Sequence, residues 1–285
     1  MQGLVNILKP TGLTSSDVVI RVRGILRRIY GEKYKVGHLG TLDPGASGIL
    51  IITIGKATRL FDLLSPSFKK YRAAITFGKT TDTLDSYGQI TGENSIIPSE
   101  DDIRKALNGF IGEIDQIPPN YSALSINGVK AYDMARNGVD FSLESRKILI
   151  NNIEIVDKLC NNTYVIDIDC KGGTYIRSLV RDIAFALNTV AYMSFLIRLS
   201  SGNFLIYNSV TLEEFEKEQH ILSIDSVLNN FVRYDIPEKY KKNLLNGVSI
   251  NISNLPDGQF LVYLENELFG IAHNNDNNLV IDIRL

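Results

Sequence analysis

The chain reads as an α+β protein. Strand-like and helix-like patterns alternate irregularly, with no repeating βαβ unit, and an Asn-rich, β-rich stretch follows at the end. The elements can be justified in order. Ser15 or Ser16 can cap a helix over DVVIRVRGILRRIY, whose Val18, Val22, Ile25 and Ile29 share one 3.6-period face and which Gly31 stops. A glycine-rich loop, VGHLGTLDPGASG, leads into ILIITIG, a short apolar run typical of a buried strand. Tyr71, Ala73, Ile75 and Phe77 alternate as a half-buried strand does. Ser99 opens a helix through EDDIRKALNGF. Tyr164, Ile166, Ile168 and Cys170 alternate against Asp167 and Asp169, a further strand, and Gly172–Gly173 turns the chain. A helix follows with Ile176, Leu179, Val180, Ile183 and Leu187 inward, and with Arg177 and Arg181 four apart on another face. The segments QFLVYLE and ELFGIAH, set off by Pro-Asp-Gly and Asn-rich turns, predict a small β-rich appendage. The boundary lies between residues 211 and 235, and we set it at 1–225 and 226–285.

Composition narrows the function. The chain has 285 residues, two cysteines and three histidines, too few for a disulfide framework or a His/Cys-rich zinc site. No apolar run approaches the roughly 18 residues that span a bilayer, and MQGLVNILKPTG lacks a signal peptide's apolar core, so a cytoplasmic protein is expected. The net charge of −2 argues at face value against a nucleic-acid partner, but it is unevenly spread. Residues 1–72 hold 12 Lys and Arg against 4 Asp and Glu, whereas residues 211–285 hold 6 against 12. A basic N-terminal quarter is what a surface meeting a polyanion needs; a solvated basic helix is the alternative.

The loop over residues 37–48 places His38 and Asp43 five residues apart, among Gly37, Gly40, Gly45 and Gly48, with Pro44 stiffening the turn. That points to a site, although an ordinary turn with Asp43 in an Asx hydrogen bond has the same residue types. It is not a phosphate-cradling loop, because no Gly-Lys-Ser/Thr ending is present. A second loop, KTTDTLDSYG over 79–88, is rich in carboxylates and hydroxyls. It suits a cation, a sugar hydroxyl or, most simply, its own internal hydrogen bonds. Asp43 with Asp82 or Asp85 also has the residue types of a glycosidase pair. Aromatic side chains beside cations, as in Lys70-Tyr71-Arg72 and Tyr175 near Arg177, are what unstacked RNA bases and their phosphates require.

Over residues 37–60, GHLGTLDPGASGILIITIGKATRL resembles the signature of the TruB family, bacterial tRNA pseudouridine synthases acting on uridine 55 of the T loop. NILKPTGLTSSDVV resembles that family's first lysine–proline element. KKYRAAITFGKTTDTLDSYGQI resembles its tyrosine strand and Thr-Asp loop, IPPNYSALSINGVKAYDMARNG its next insert, and KGGTYIRSLVRDIAFAL its tyrosine–arginine element. These occur in family order over roughly residues 3–200.

The resemblance implies a pseudouridine synthase fold with a mainly antiparallel central sheet, and a PUA-like C-terminal domain. Asp43 stands in the place of the catalytic aspartate, and His38 matches the histidine near the extruded uridine. Tyr71, Tyr175 and Leu196 match the uracil pocket. Arg177 matches the aspartate's partner, and Lys9 a structural or phosphate-facing lysine. Leu39 stands where the family often has threonine, and Gly45 and Ser47 where bulkier or threonine residues are common. The expected activity needs no cofactor and no metal. The expected partner is the T arm of tRNA, without guide RNA or membrane, bound by a monomer. A tRNA-binding or tRNA-folding protein without catalysis, and a guide-dependent synthase subunit, are the competing expectations.

Overall fold

The computed structural model describes residues 1–65 and 67–285. Its centre is a nine-stranded sheet. The chain contributes β1 (Gly3–Lys9), α1 (Ser15–Tyr30), β2 (Val36–Leu39), β3 (Ser47–Ile54) and β4 (Phe68–Phe77). It continues with a small hairpin of β5 (Lys79–Thr81) and β6 (Ile90–Glu93), then α2 (Glu100–Asn108), β7 (Gly112–Gln116), β8 (Arg146–Cys160), β9 (Thr163–Lys171), α3 (Ile176–Ala186) and β10 (Ala191–Ser201). The strand order is β1-β3-β10-β4-β9-β8-β7, with β2 on β3 and Phe204–Leu205 on β10. Every pairing but one is antiparallel; β10 meets β3 in parallel, Ile197 opposite Ser47 and Arg198 opposite Gly48. The α+β class is as the residue patterns predict, and the mainly antiparallel sheet is as the resemblance implies.

Helix α1 shows where local rules and packing part. Val18, Val22 and Ile25 are buried as the periodicity requires, but the stripe ends with the fully buried Leu26, and Ile29 is exposed in the last turn. Each such side chain contributes about 1.5–3 kcal/mol when fully buried. The N-cap is Thr14, one residue before the expected serines. Its hydroxyl accepts from Asp17 N at 3.0 Å while Asp17 Oδ2 accepts from Thr14 N at 2.8 Å, a reciprocal capping box. Ser15 is released from capping and turns inward, where its hydroxyl both donates to Leu42 O (2.9 Å) and accepts from Leu42 N (2.8 Å). Gly31 closes the helix in the left-handed region.

The centre of the sheet is covered on both faces. Tyr71, Ala73, Ile75 and Phe77 of β4 are buried as predicted, and so is Ala74 between them. In β9 the apolar residues are buried, while Asp167 on the other face is also buried and accepts from Arg72 Nε and Nη2 at 2.7 and 2.9 Å. A buried carboxylate persists only with such a partner.

The C-terminal unit is a five-stranded sheet made of β11 (Val232–Asp235), β12 (Ile250–Asn251), β13 (Gly258–Leu264), β14 (Glu267–Asn275) and β15 (Asn278–Arg284), in the order β11-β13-β14-β15-β12. QFLVYLE and ELFGIAH supply its two central strands. Alternate residues of β13 serve two cores. Phe260, Val262 and Leu264 close the unit's own core, whereas Leu261 and Tyr263 join Leu4, Leu39 and Ile51 of the large sheet. A short helix, Ile224–Val227, spans the expected boundary, and Ile224 and Leu228 pack in that shared cluster. No described helix is long and apolar enough to cross a membrane.

Candidate active site

The loop over residues 40–46 leaves the sheet where β3 changes neighbours. Along β3, the half over residues 51–54 pairs with β2, and the other end lies beside β10. The loop emerges from that split, held down from several directions. Gly48 allows the close approach: its φ is +108°, and a Cβ there would stand 2.3 Å from the Arg198 carbonyl oxygen. Arg198, 1% exposed, donates from Nε to Ile49 O at 2.8 Å, from Nη1 to Thr41 O at 3.3 Å and from Nη2 to Gly40 O at 3.1 Å, so one guanidinium ties both ends of the loop. Lys9, completely buried, donates from Nζ to Pro10 O, Leu13 O and Pro44 O at 2.9, 2.6 and 3.5 Å. Burial, partly offset by Asp43, lowers its pKa to about 8. Ser15 grips Leu42, and Gly12 N donates to Pro44 O at 2.8 Å.

At the crest of this loop Asp43 meets α3. Arg177 Nη2 lies 2.9 Å from Asp43 Oδ2; the carboxylate side chain is 38% exposed and the guanidinium only 7%. The cation is thus sunken, while the carboxylate above it stays within reach of a ligand. The same guanidinium is fixed by Thr83 O (from Nη1, 3.0 Å) and Tyr121 O (from Nη2, 3.0 Å), and its Nε lies 3.8 Å from Asp85 Oδ2. Arg181, one turn on, donates to Ile117 O at 2.9 Å, so the two arginines together hold the segment over 117–121. The loop over residues 82–88 is largely self-bonded. Asp82 Oδ1 accepts from Thr83 N and Gln89 N, and Asp85 Oδ1 from Thr83 Oγ1 and Tyr87 N.

Between the two loops is a cleft lined by Asp43, Ala46, Asp85, Met193, Phe195 and Leu196, with Gly45 and Tyr87 at one side. It sets two carboxylates, Asp43 and Asp85, against an apolar wall of Met193, Phe195 and Leu196. A Cβ at Gly45 would stand 2.4 Å from the exposed Tyr87 ring, so a larger residue there requires that ring to move. Leu39 fits its place, fully buried in the cluster shared with the C-terminal sheet.

The sequence-predicted residues thus fall in three groups. Asp43, Arg177 and Leu196 come together at the cleft. His38 on β2 and Tyr71 on β4 do not line the cleft, and both lie near Arg198. His38 Nδ1 is buried without a partner among the described residues, and burial reinforced by Arg198 lowers its pKa, leaving the ring neutral at pH 7. Tyr71 is buried opposite Arg198 in the ladder, and burial raises its hydroxyl pKa. Lys9 and Tyr175 lie apart. Lys9 is beneath the loop, its ammonium given to carbonyls. Tyr175 precedes α3, with its backbone bonded both ways to the Gln116 side chain (2.9 and 3.1 Å) and its ring 4.5 Å from Arg146 Cζ. Sequence reasoning missed Arg198, and it offered Asp85 only as a loop carboxylate or half of a glycosidase pair, not as a neighbour of Arg177. A lone arginine inside the apolar strand SFLIRLSSG was the available signal for Arg198, since a charge in such a place requires buried partners.

The fold is that of pseudouridine synthases. It superposes on the chain in "Crystal Structure of a Cbf5-Nop10-Gar1 Complex" with a TM-score of 0.69 at 24% identity, covering 99% of this chain and 84% of that one. The match to "Structure of H/ACA RNP bound to a substrate RNA containing 2'-deoxyuridine" has a TM-score of 0.67 at 22% identity, with the same coverage. Within that class the chain belongs to the TruB family. The model of the TruB family pseudouridylate synthase N-terminal domain matches residues 27–176, and that of the tRNA pseudouridylate synthase B C-terminal domain matches residues 177–233. Relatives named tRNA pseudouridine synthase B are 42% identical in Alkaliphilus oremlandii (98% of this chain, 95% of that protein) and 40% identical in Clostridium acetobutylicum (99% and 98%).

Proposed function

We propose that the protein converts uridine to pseudouridine in tRNA, at position 55 of the T loop, acting on the T arm as a cytoplasmic monomer without a guide RNA. The observation that carries this reading is the Asp43–Arg177 pair at the mouth of an apolar cleft on a pseudouridine synthase fold. The reaction breaks the C1′–N1 bond, turns the uracil and joins C1′ to C5; the proton on C5 is lost and N1 gains one, so nothing is oxidised or consumed. Asp43 is the group that acts at the sugar, by addition to C1′ or by removing a sugar proton, and both routes need it ionised. Arg177 sets a positive charge beside the carboxylate that acts.

The target base must leave the T loop, at a cost of a few kcal/mol in base-flipping systems generally. Leu196 offers an apolar contact to the extruded ring, with Tyr71 beyond it, and neutral His38 braces the RNA left behind. Tyr175, apart from the cleft in the free protein, would have to leave Arg146 to join the pocket as the resemblance implies. Lys9 acts through the loop it fastens. The exposed arginines of α1, with the rest of the basic N-terminal quarter, grip phosphates, so binding weakens steeply as salt rises. We take residues 1–225 as the catalytic unit and 226–285 as the appendage. The test is to incubate the purified protein with an unmodified tRNA transcript alone and map pseudouridine by position. A single new site at position 55 is expected; no conversion, or conversion elsewhere, overturns the reading.

A further inference from the structure

Strand β4 carries cations at positions 69, 70 and 72, and its two faces treat them differently. On one face Arg72 forms a two-pronged bond with Asp167, and Lys70 Nζ lies 3.8 Å from the same carboxylate. On the other face, which carries Tyr71, Lys69 is half-buried, and among the described residues its ammonium has neither a carboxylate nor a hydrogen-bond acceptor. It lies against the backbone of the Asp43 loop: a Cβ at Gly40 would be 3.5 Å from Lys69 Nζ and 3.8 Å from Arg198 Nη1. Arg198 brings a second positive charge, and its donors are already committed to the carbonyls of Ile49, Thr41 and Gly40. Burial, reinforced by Arg198, holds the Lys69 pKa below the ordinary lysine value.

An ammonium partly withdrawn from water, beside another cation and without an acceptor, is costly as it stands. An anion brought to it would relieve that cost twice, through a charge-assisted hydrogen bond and through the neighbouring guanidinium's field. The other members of the cluster do not compete for it. His38, two residues before Gly40, is neutral at pH 7, and Asp43 is turned to Arg177. In a chain that acts on RNA, the anion available beside the Asp43 loop is the backbone of the substrate itself.

We propose that Lys69, seated against Gly40 and beside Arg198, binds a phosphodiester of the RNA strand adjacent to the nucleotide that enters the Asp43 cleft. Lys69 is the donor to a non-bridging oxygen, and Arg198 contributes charge without a contact of its own. The inference rests on the reading of the chain as a tRNA pseudouridine synthase, and the following experiment separates the two.

Binding of a T-arm stem-loop RNA is measured across a potassium chloride series in the Asp43→Asn background, where turnover does not intrude, with and without K69Q or K69R. For K69Q the plot of log affinity against log salt becomes shallower by about 0.7–0.9, the release of one counterion, and K69R keeps the original slope. A stem-loop carrying a neutral methylphosphonate at one phosphate beside the target uridine then binds roughly tenfold more weakly to the Lys69 protein, about the worth of one charge-assisted hydrogen bond. It binds K69Q no more weakly than unmodified RNA does. A K69Q protein that melts lower, yet keeps both the full salt slope and the methylphosphonate penalty, overturns the phosphate assignment. Wild-type protein that fails to convert the uridine of the stem-loop or of intact tRNA overturns the underlying reading instead.

Discussion

Two loops face each other across the cleft, and they keep their shapes by opposite means. The loop over residues 82–88 is bonded mostly to itself: the Asp82 and Asp85 side chains collect the amides and hydroxyl of Thr83, Tyr87 and Gln89, and Thr81 Oγ1 donates to Asp85 O at 2.7 Å. The loop over residues 40–46 has only the Ala46 N to Asp43 O turn bond (3.0 Å) of its own. It is shaped by Lys9, Ser15 and Arg198, at sequence separations of 35, 27 and 158 residues for Pro44, Leu42 and Gly40. Arg177 bridges the two, touching Asp43 on one side and Thr83 and Asp85 on the other. Asp43 thus sits on the loop that is shaped almost wholly by distant residues, while the opposite loop adds ties to Met193, Tyr121 and Arg177 to a frame largely its own. Such a loop can place Asp43 finely, but it loses that placement when a distant residue changes.

This contrast can be broken at its crest or tested at its supports. Asp43→Asn keeps the loop and removes the acting group, so turnover should fall by at least about three orders of magnitude with tRNA affinity within a few-fold of wild type. Single-turnover conversion and filter binding check the two halves, and ordinary turnover by the variant would remove Asp43 from its role. Arg177→Met severs the bridge and should cost about 10²–10³ in single-turnover rate, the usual scale for losing a positioned charge at a reacting group.

Arg198→Met should lower turnover by about 10²-fold by letting the loop shift on the order of 1 Å. It should also lose about 1–3 kcal/mol of stability for a carbonyl left unpaired. Removing its charge should move the His38 titration upward, because Arg198 is one of the two influences holding it down, and NMR of the imidazole reads that shift directly. An unchanged His38 titration with unchanged turnover would show the loop to be self-supporting after all. Asp82→Ala, in the self-bonded loop, should give the smallest effect: about 1 kcal/mol of stability by denaturant titration, with turnover within a few-fold.

The alternations of β4 and β9, the capped helices and the two central strands of the appendage were legible because each depends on residues within one or two turns of chain. The same locality marked the loops over 37–48 and 79–88 as unusual. Local rules failed in small and informative ways. Thr14, not a serine, caps α1, because Ser15 is needed under the loop; Ile29 carries the right period but lies in an exposed last turn. Asp167, read as the outer face of a strand, is buried because Arg72 reaches it from the neighbouring strand. No spacing rule indicates that a carboxylate at 43 and an arginine at 177 meet at 2.9 Å; the resemblance to the TruB family implied the pair before the geometry placed it.

The sequence by itself determined the class of fold, the order of its elements and the basic N-terminal quarter, and its resemblance to the TruB family implied the Asp43–Arg177 pair. Tertiary structure alone decided which cations are free to meet RNA and which are spent on the fold. Arg72 and Lys70 are committed to Asp167, Lys9 and Arg198 to backbone carbonyls, and Lys69 to nothing among the described residues. The reason is physical: a lysine or arginine carries the same charge wherever it stands, but the acceptors around it are set by strand pairing between residues far apart in the chain.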